Sequence, residues 1–168
     1  MGRQQIIYLM NKVYLLTGGN IGDRKAMLDD AAAYIKKDIG EVSARSEIYE
    51  TAAWGKTDQS PFLNQALEVV TNFSAGEVLY KALSIEEKMG RYRQEKFGPR
   101  IIDIDILLFN NEIIHKPGLI IPHPQLPFRR FALTPLAEIA AGYLHPILQK
   151  TIRELLISCK DALPVKKL

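Results

Sequence analysis

The chain has 168 residues, 47% of them hydrophobic and 24% charged, with a formal net charge of +3. That length suits one domain with its own core, and the composition is that of a globular chain. A net charge of +3 is too small to call for a nucleic-acid partner, the single cysteine (Cys159) excludes an internal disulfide framework, and no apolar run approaches the roughly 18–20 residues of a membrane span. Asn11 and Lys12 break the apolar N-terminal stretch, and no small-residue cleavage site follows. A secretion signal is therefore not expected, and a single cytoplasmic domain over 1–168 is.

Apolar, β-prone residues over 5–17 end at the turn Gly18-Gly19-Asn20 and predict a first strand with a bulge near Asn11-Lys12. Asp23 is a candidate N-cap for a helix whose stripe is Leu28, Ala31, Ala32, Ile35 and Ile39, stopped by Gly40. Residues 42–49 alternate as a half-exposed strand, with Val42, Ala44, Ser46 and Ile48 on one face. After a loop, a strand from Phe62 to about Thr71 is expected to pair with it antiparallel. Ser74 and Glu77 form a capping box, and the helix they start runs to Gly90 with Val78, Ala82, Ile85 and Met89 as its stripe. A basic loop leads into Gly98–Phe109, GPRIIDIDILLF, which reads as a further strand. Asn110-Asn111 turns the chain into a short hairpin strand beginning at Glu112-Ile113-Ile114. The tail holds a loop with Pro117, Pro122, Pro124 and Pro127, a short helix near 134–141 and another near 151–161. The order β-α-β-β-α-β predicts an α+β, ferredoxin-like sandwich: an antiparallel sheet, helices on one face, and an added C-terminal hairpin and helical segment.

The last strand carries two carboxylates. Side chains alternate along a strand, so Asp103 and Asp105 point to one face, with Cα atoms about 6.5–7 Å apart, while Ile102, Ile104 and Ile106 point to the other. Two such carboxylates repel, and a hard divalent cation relieves the conflict. Arg91, Arg93, Lys96 and Arg100 precede them, which suits a polyanion bridged by metal. A wet outer face, with Arg91 or Arg100 neutralising the pair, accounts for the pattern alone as well.

The run Lys96-Phe97-Gly98-Pro99-Arg100-Ile101-Ile102-Asp103-Ile104-Asp105-Ile106-Leu107 resembles the signature of the 6-hydroxymethyl-7,8-dihydropterin pyrophosphokinases of folate biosynthesis. Gly18-Gly19-Asn20, Phe62-Leu63-Asn64, Gly90-Arg91-Tyr92-Arg93, Pro122-His123 and Arg129-Arg130-Phe131 extend the resemblance from Leu15 to about Ala140. It implies transfer of pyrophosphate from ATP to the hydroxymethyl oxygen of the pterin, with release of AMP. It also implies two Mg²⁺ ions on Asp103 and Asp105, and catalytic roles for Arg91, Arg93 and Arg100 beside them. The implied ATP contacts are Arg93, Arg100, Ile106, His123, Arg129 and Glu86. The implied pterin contacts are Thr51, Trp54, Phe62, Asn64, Asp103 and Phe131. No G-x-x-x-x-G-K-[ST] loop is present, so side chains and metal have to neutralise the triphosphate. Arg130 has no firm counterpart and is read as solvated; Asn20 is read equally as a turn former or a site residue. Phe97 stands where relatives carry tryptophan, and Ala52-Ala53 where they carry prolines, which touches loop closure more than reaction type. A monomer with no nucleic-acid or membrane partner is expected. A ferredoxin-like module that binds nucleotide or metal without catalysis is the rival from another class.

Overall fold

The computed structural model describes residues 9–53, 58–92 and 98–168. Its first elements are β1 (Asn11–Gly19), α1 (Arg24–Asp38), β2 (Glu41–Arg45), β3 (Tyr49–Thr51), β4 (Phe62–Thr71), α2 (Ala75–Lys88) and β5 (Asp103–Phe109). A hairpin of β6 (Ile114–Lys116) and β7 (Leu119–Ile121) follows, then a 3-10 turn (Leu126–Phe128), α3 (Arg130–Ala140), α4 (Ile152–Ser158) and β8 (Val165–Lys167). The main sheet runs β5-β1-β4-β3-β8, with β2 also on β4, and its pairings are antiparallel. With β2 and β3 counted as one broken strand, its first four members have the expected ferredoxin-like order.

Local chemistry explains the element ends. Asp23 Oδ1 accepts the Ala26 N–H at 3.1 Å and starts α1. Ser74 and Glu77 cap α2 reciprocally: Ser74 Oγ accepts the Glu77 N–H at 3.3 Å, and Glu77 Oε2 accepts the Ser74 N–H at 2.8 Å. The strand expected over 42–49 is broken at Ser46. Its Oγ accepts the Ala66 N–H at 2.9 Å, so a side chain replaces backbone in the ladder. Residues 5–8 of the expected first strand lie outside the described residues.

The sheet has a core on each face. Val13, Leu15, Leu67, Val69, Ile104 and Ile106 pack under α1 and α2, which share one face as expected. The C-terminal segment covers the other: Leu133, Leu136, Ile152 and Leu155 of α3 and α4 pack on Tyr14, Leu16, Ala66, Leu107 and Leu108. The β1–β5 register shifts between Tyr14 and Leu15, not near Asn11-Lys12 as expected. The extra residue lets Leu107 and Leu108 enter the same core, although neighbours on a regular strand point apart. α3 begins at Arg130, about four residues before the expected start, and β8 was not foreseen. The second core stops at Leu16, and the rest of that sheet face is left open as a cleft. Among the described residues no helix is long and apolar enough to cross a membrane. Ser74→Ala is expected to lower stability by about 1 kcal/mol in urea denaturation with an unchanged slope, since it removes one cap and exposes no core.

Candidate active site

Strand register assembles the cleft. Gly18 lies opposite Asn64 on β4 and Asp103 on β5, and Leu16 opposite Ala66 and Asp105. Thr51 faces Phe62 across the β3–β4 ladder. Cross-strand partners share a face, so Thr51, Phe62, Asn64, Asp103 and Asp105 converge. At Gly18 an added Cβ would lie 2.4 Å from Asn64 Oδ1, and at Gly19 it would lie 2.2 Å from the Ile101 carbonyl oxygen. Gly19 needs glycine for its close approach to backbone, and at Gly18 a side chain would have to displace the Asn64 amide. The cleft, about 260 Å³, is walled further by Arg91, Arg100, His123, Arg129 and Phe131. Leu16, Gly18 and Ala52 line it too and were missed in the sequence; the pairing of Gly18 with Asn64 is the signal that finds one of them.

A second groove of about 310 Å³ shares Asp103, Asp105 and His123 with the first. Its other walls include Leu79, Leu83, Ile106, Leu119 and Ile120, so Ile106 and Glu86 line this groove and not the first. Arg93 and Trp54, both expected at the site, lie outside the described residues, as do Lys96 and Phe97.

The residues match the protein-family model for 7,8-dihydro-6-hydroxymethylpterin-pyrophosphokinase over 14–141. The chain belongs to that family. A 2-amino-4-hydroxy-6-hydroxymethyldihydropteridine pyrophosphokinase of Aquifex aeolicus is 40% identical over 86% of this chain and 90% of its own. One from Bacillus subtilis is 45% identical over 77% and 78%. A crystal structure of a Plasmodium falciparum HPPK-DHPS triple mutant with pteroate shares the fold, with a TM-score of 0.72 at 20% identity. The match spans 89% of this chain and 43% of that longer one. The activity is accordingly a pyrophosphokinase's, in folate biosynthesis.

Charge organises the cleft of this pyrophosphokinase. Arg91 Nη1 lies 2.5 Å from Asp103 Oδ1, and Arg100 Nη1 2.7 Å from Asp103 Oδ2. Arg91 Nη1 is also 2.7 Å from Glu86 Oε1, which accepts the Ile104 N–H at 2.7 Å. Burial works against the Arg91 charge, but Asp103 and Glu86 outweigh it and hold the guanidinium protonated. Glu86 is 3% exposed, so it is no surface helix residue. Its carboxylate fixes β5 and Arg91, and that makes it a positioning group for the expected ATP site.

Asp105 is pushed up to about 7 by burial first and by Asp103 second, against the pull of Arg129 and Arg100. Burial and repulsion from Arg129 push His123 down to about 4, so the ring is neutral at neutral pH. Its Nδ1 accepts the Gln125 N–H at 3.1 Å, which leaves the proton on Nε2 as a donor. The Asp103–Asp105 pair is a hard-oxygen donor set whose mutual repulsion is expressed at Asp105. Mg²⁺ takes one or two carboxylates and completes its shell with water and phosphate, so the donors fit the ion that this family generally uses.

Two expectations are resolved differently. Asn20 is a buried clip: its Nδ2 donates to Gln59 Oε1 at 3.0 Å and to the Ser60 carbonyl at 2.9 Å, while its Oδ1 accepts the Arg100 N–H at 2.9 Å. It therefore ties the end of β1 to the segments before β4 and before β5. Arg130 is not solvated. Its Nε donates to the Asp161 carbonyl at 2.8 Å and its Nη2 to the Cys159 carbonyl at 2.7 Å.

The raised Asp105 pKa has a stability consequence of definite sign. Between about pH 4 and 7 the unfolded chain ionises this carboxyl more readily than the folded chain does, so folding loses stability as pH rises through that window. In metal-free buffer, Asp105→Asn is expected to melt above the parent at pH 8, with the gain shrinking toward pH 4. A melting temperature at pH 8 equal to or below the parent's would remove this account.

Proposed function

We propose that the first cleft holds the dihydropterin, the second groove the nucleoside of ATP, and the Asp103–Asp105 junction the triphosphate between them. The observation that carries this reading is that the two cavities share Asp103, Asp105 and His123. Each substrate then has its own pocket, and the reacting groups meet where the charges are. The hydroxymethyl oxygen attacks the β-phosphorus and gives its proton to solvent, the bond from that phosphorus to the α,β-bridging oxygen breaks, and AMP leaves.

Residue roles follow from chemistry. A flat heteroaromatic ring suits the faces of Phe62 and Phe131. Asn64 reads its edge, with the amide oriented by its 3.3 Å hydrogen bond to Thr51 Oγ1. Asp103 and Asp105 would hold Mg²⁺, as two ions in this reading, and bound Mg²⁺ supplies charge neutralisation on the phosphates. Arg91, Arg100 and Arg129 present planar forks that suit phosphate oxygens. His123 adds a neutral Nε2–H donor. Arg93 is assigned to the triphosphate and Trp54 to the cover of the ring. Little covalent work is left to the protein, since catalysis of phosphoryl transfer is mostly alignment and charge stabilisation. Both cavities are built within one chain, which supports a monomer, and an ATP-dependent activity suits the cytoplasm.

AMP is expected from ATP only when 6-hydroxymethyl-7,8-dihydropterin and Mg²⁺ are both present. Asp105→Ala is expected to abolish it while circular dichroism stays unchanged. AMP at the parent rate in that variant would sink the metal assignment; ATP binding without any AMP would favour the binding module. Phe131→Ala is expected to weaken pterin binding by about 1–3 kcal/mol, roughly 5- to 150-fold, and to spare nucleotide binding. Loss of ATP binding instead would mean that the ring lies elsewhere.

A further inference from the structure

The start of α3 poses a physical problem. Helix N-caps are usually Ser, Thr, Asp or Asn, whose side chains accept an orphan N–H. Here the N-cap is Arg129, and it makes no side-chain cap bond. Arg129 and Phe131 are both cleft residues, so the position is reserved for the site.

The cap comes from far along the chain. Asp161 Oδ2 accepts the Arg130 N–H at 3.1 Å, a carboxylate at the positive end of the helix. Arg130 answers with its guanidinium on the carbonyls of Asp161 and Cys159. The other oxygen of Asp161 accepts the Leu163 N–H at 3.1 Å and turns the chain toward β8. There Val165 pairs with Thr51 and Lys167 with Tyr49, and the Leu168 N–H donates to the Ile48 carbonyl at 3.0 Å. One end of 159–168 thus holds the helix start that bears Phe131, and the other holds the strand that bears Thr51. These are two walls of the same cleft. The segment lies outside the residues that match the family, 14–141.

A second tie shows why this matters. Tyr49 Oη donates to Glu138 Oε2 at 2.5 Å, joining β3 to the far end of α3. Glu138 is eight residues from Arg130, about 12 Å along the axis. Glu138 Oε1 also accepts the Glu47 N–H at 3.1 Å and lies 3.9 Å from Lys167 Nζ, and Leu133 and Leu136 seat the helix on the sheet, so its far end is well fixed and the end that carries Phe131 depends on its own polar tie. The second anchor, at Arg130, fixes the angle.

We propose that residues 159–168 are a brace that sets the width of the pterin cleft, with Arg130 and Asp161 as positioning residues for the pterin. This rests on the reading that the pterin lies in that cleft. The nucleotide is far less sensitive, because the long side chain of Arg129 can reach its phosphate again after a small tilt, whereas the ring of Phe131 moves with its helix.

The test compares dissociation constants for 6-hydroxymethyl-7,8-dihydropterin, measured with Mg²⁺ and a non-hydrolysable ATP analogue, and for the Mg²⁺–analogue alone. Asp161→Ala and Lys166→Pro, which breaks the β8 pairing, are each expected to weaken pterin binding about tenfold, the scale of a lost cap. Pterin KM should rise with them, kcat at saturating pterin should stay near the parent value, and analogue binding should stay within about threefold. Asp161→Asn keeps one of the two oxygen acceptors, for the Arg130 N–H or the Leu163 N–H, and should recover part of the affinity. Unchanged pterin affinity in Asp161→Ala and Lys166→Pro, whatever their melting temperatures, overturns the brace. So does equal weakening of both ligands, which is general loosening. Phe131→Ala separates the two ideas. If it weakens pterin binding and Asp161→Ala does not, the site reading stands and the brace falls; if neither does, both fall.

Discussion

Concentrated negative charge on β5 is the constraint from which the rest of the site follows. Glu86, Asp103 and Asp105 act on one another across the edge of the sheet, and only some of that charge is met by arginine. Arg91 serves two carboxylates at once, and Glu86 reaches both a guanidinium and the Ile104 N–H of the strand itself. The helix α2, the strand β5 and Arg91 are thereby locked together by polar contacts and not only by packing. The unrelieved part stays on Asp105, whose carboxyl is pushed up to about 7. A cation placed against Asp103 and Asp105 would favour the ionised form of that carboxyl.

The second constraint is geometric. A sheet with helices on both faces would ordinarily bury both. Here the core of α3 and α4 covers part of one face and stops at Leu16, which lines both the core and the cleft. The β1–β5 bulge helps by sending Leu107 and Leu108 together into that core while Asp103 and Asp105, upstream on the same strand, remain at the cleft. Apolar and charged segments of β5 are thus separated along its length and not only between its faces.

Much of this was legible in residues. The Asp23 cap, the Ser74–Glu77 box and the apolar stripes place α1 and α2 because they are local signals. Strand alternation alone puts Asp103 with Asp105 and Phe62 with Asn64. What escaped depends on distant partners. The break at Ser46 exists because its hydroxyl enters the ladder at Ala66. The start of α3 carries site residues where a cap would stand, and its cap lies at Asp161. β8 is three residues long and forms because β3 offers an edge. Glu86 was within reach: it follows Val78 and Ala82 at helical spacing, which points it toward the core. Arg93 and Trp54 lie outside the described residues.

Gly18 in the floor of the cleft has a consequence for inhibition. At Gly18 an added Cβ would lie 2.4 Å from Asn64 Oδ1 and 3.3 Å from the Leu63 carbonyl oxygen, so a side chain there displaces the Asn64 amide. An inhibitor laid against Gly18 touches a position that cannot gain a side chain without shifting Asn64. Escape variants would arise more readily at the rim, where Ala52 is exposed, or in the loops outside the sheet. Compounds that draw their affinity from the floor should therefore meet resistance more slowly than those that reach for the rim.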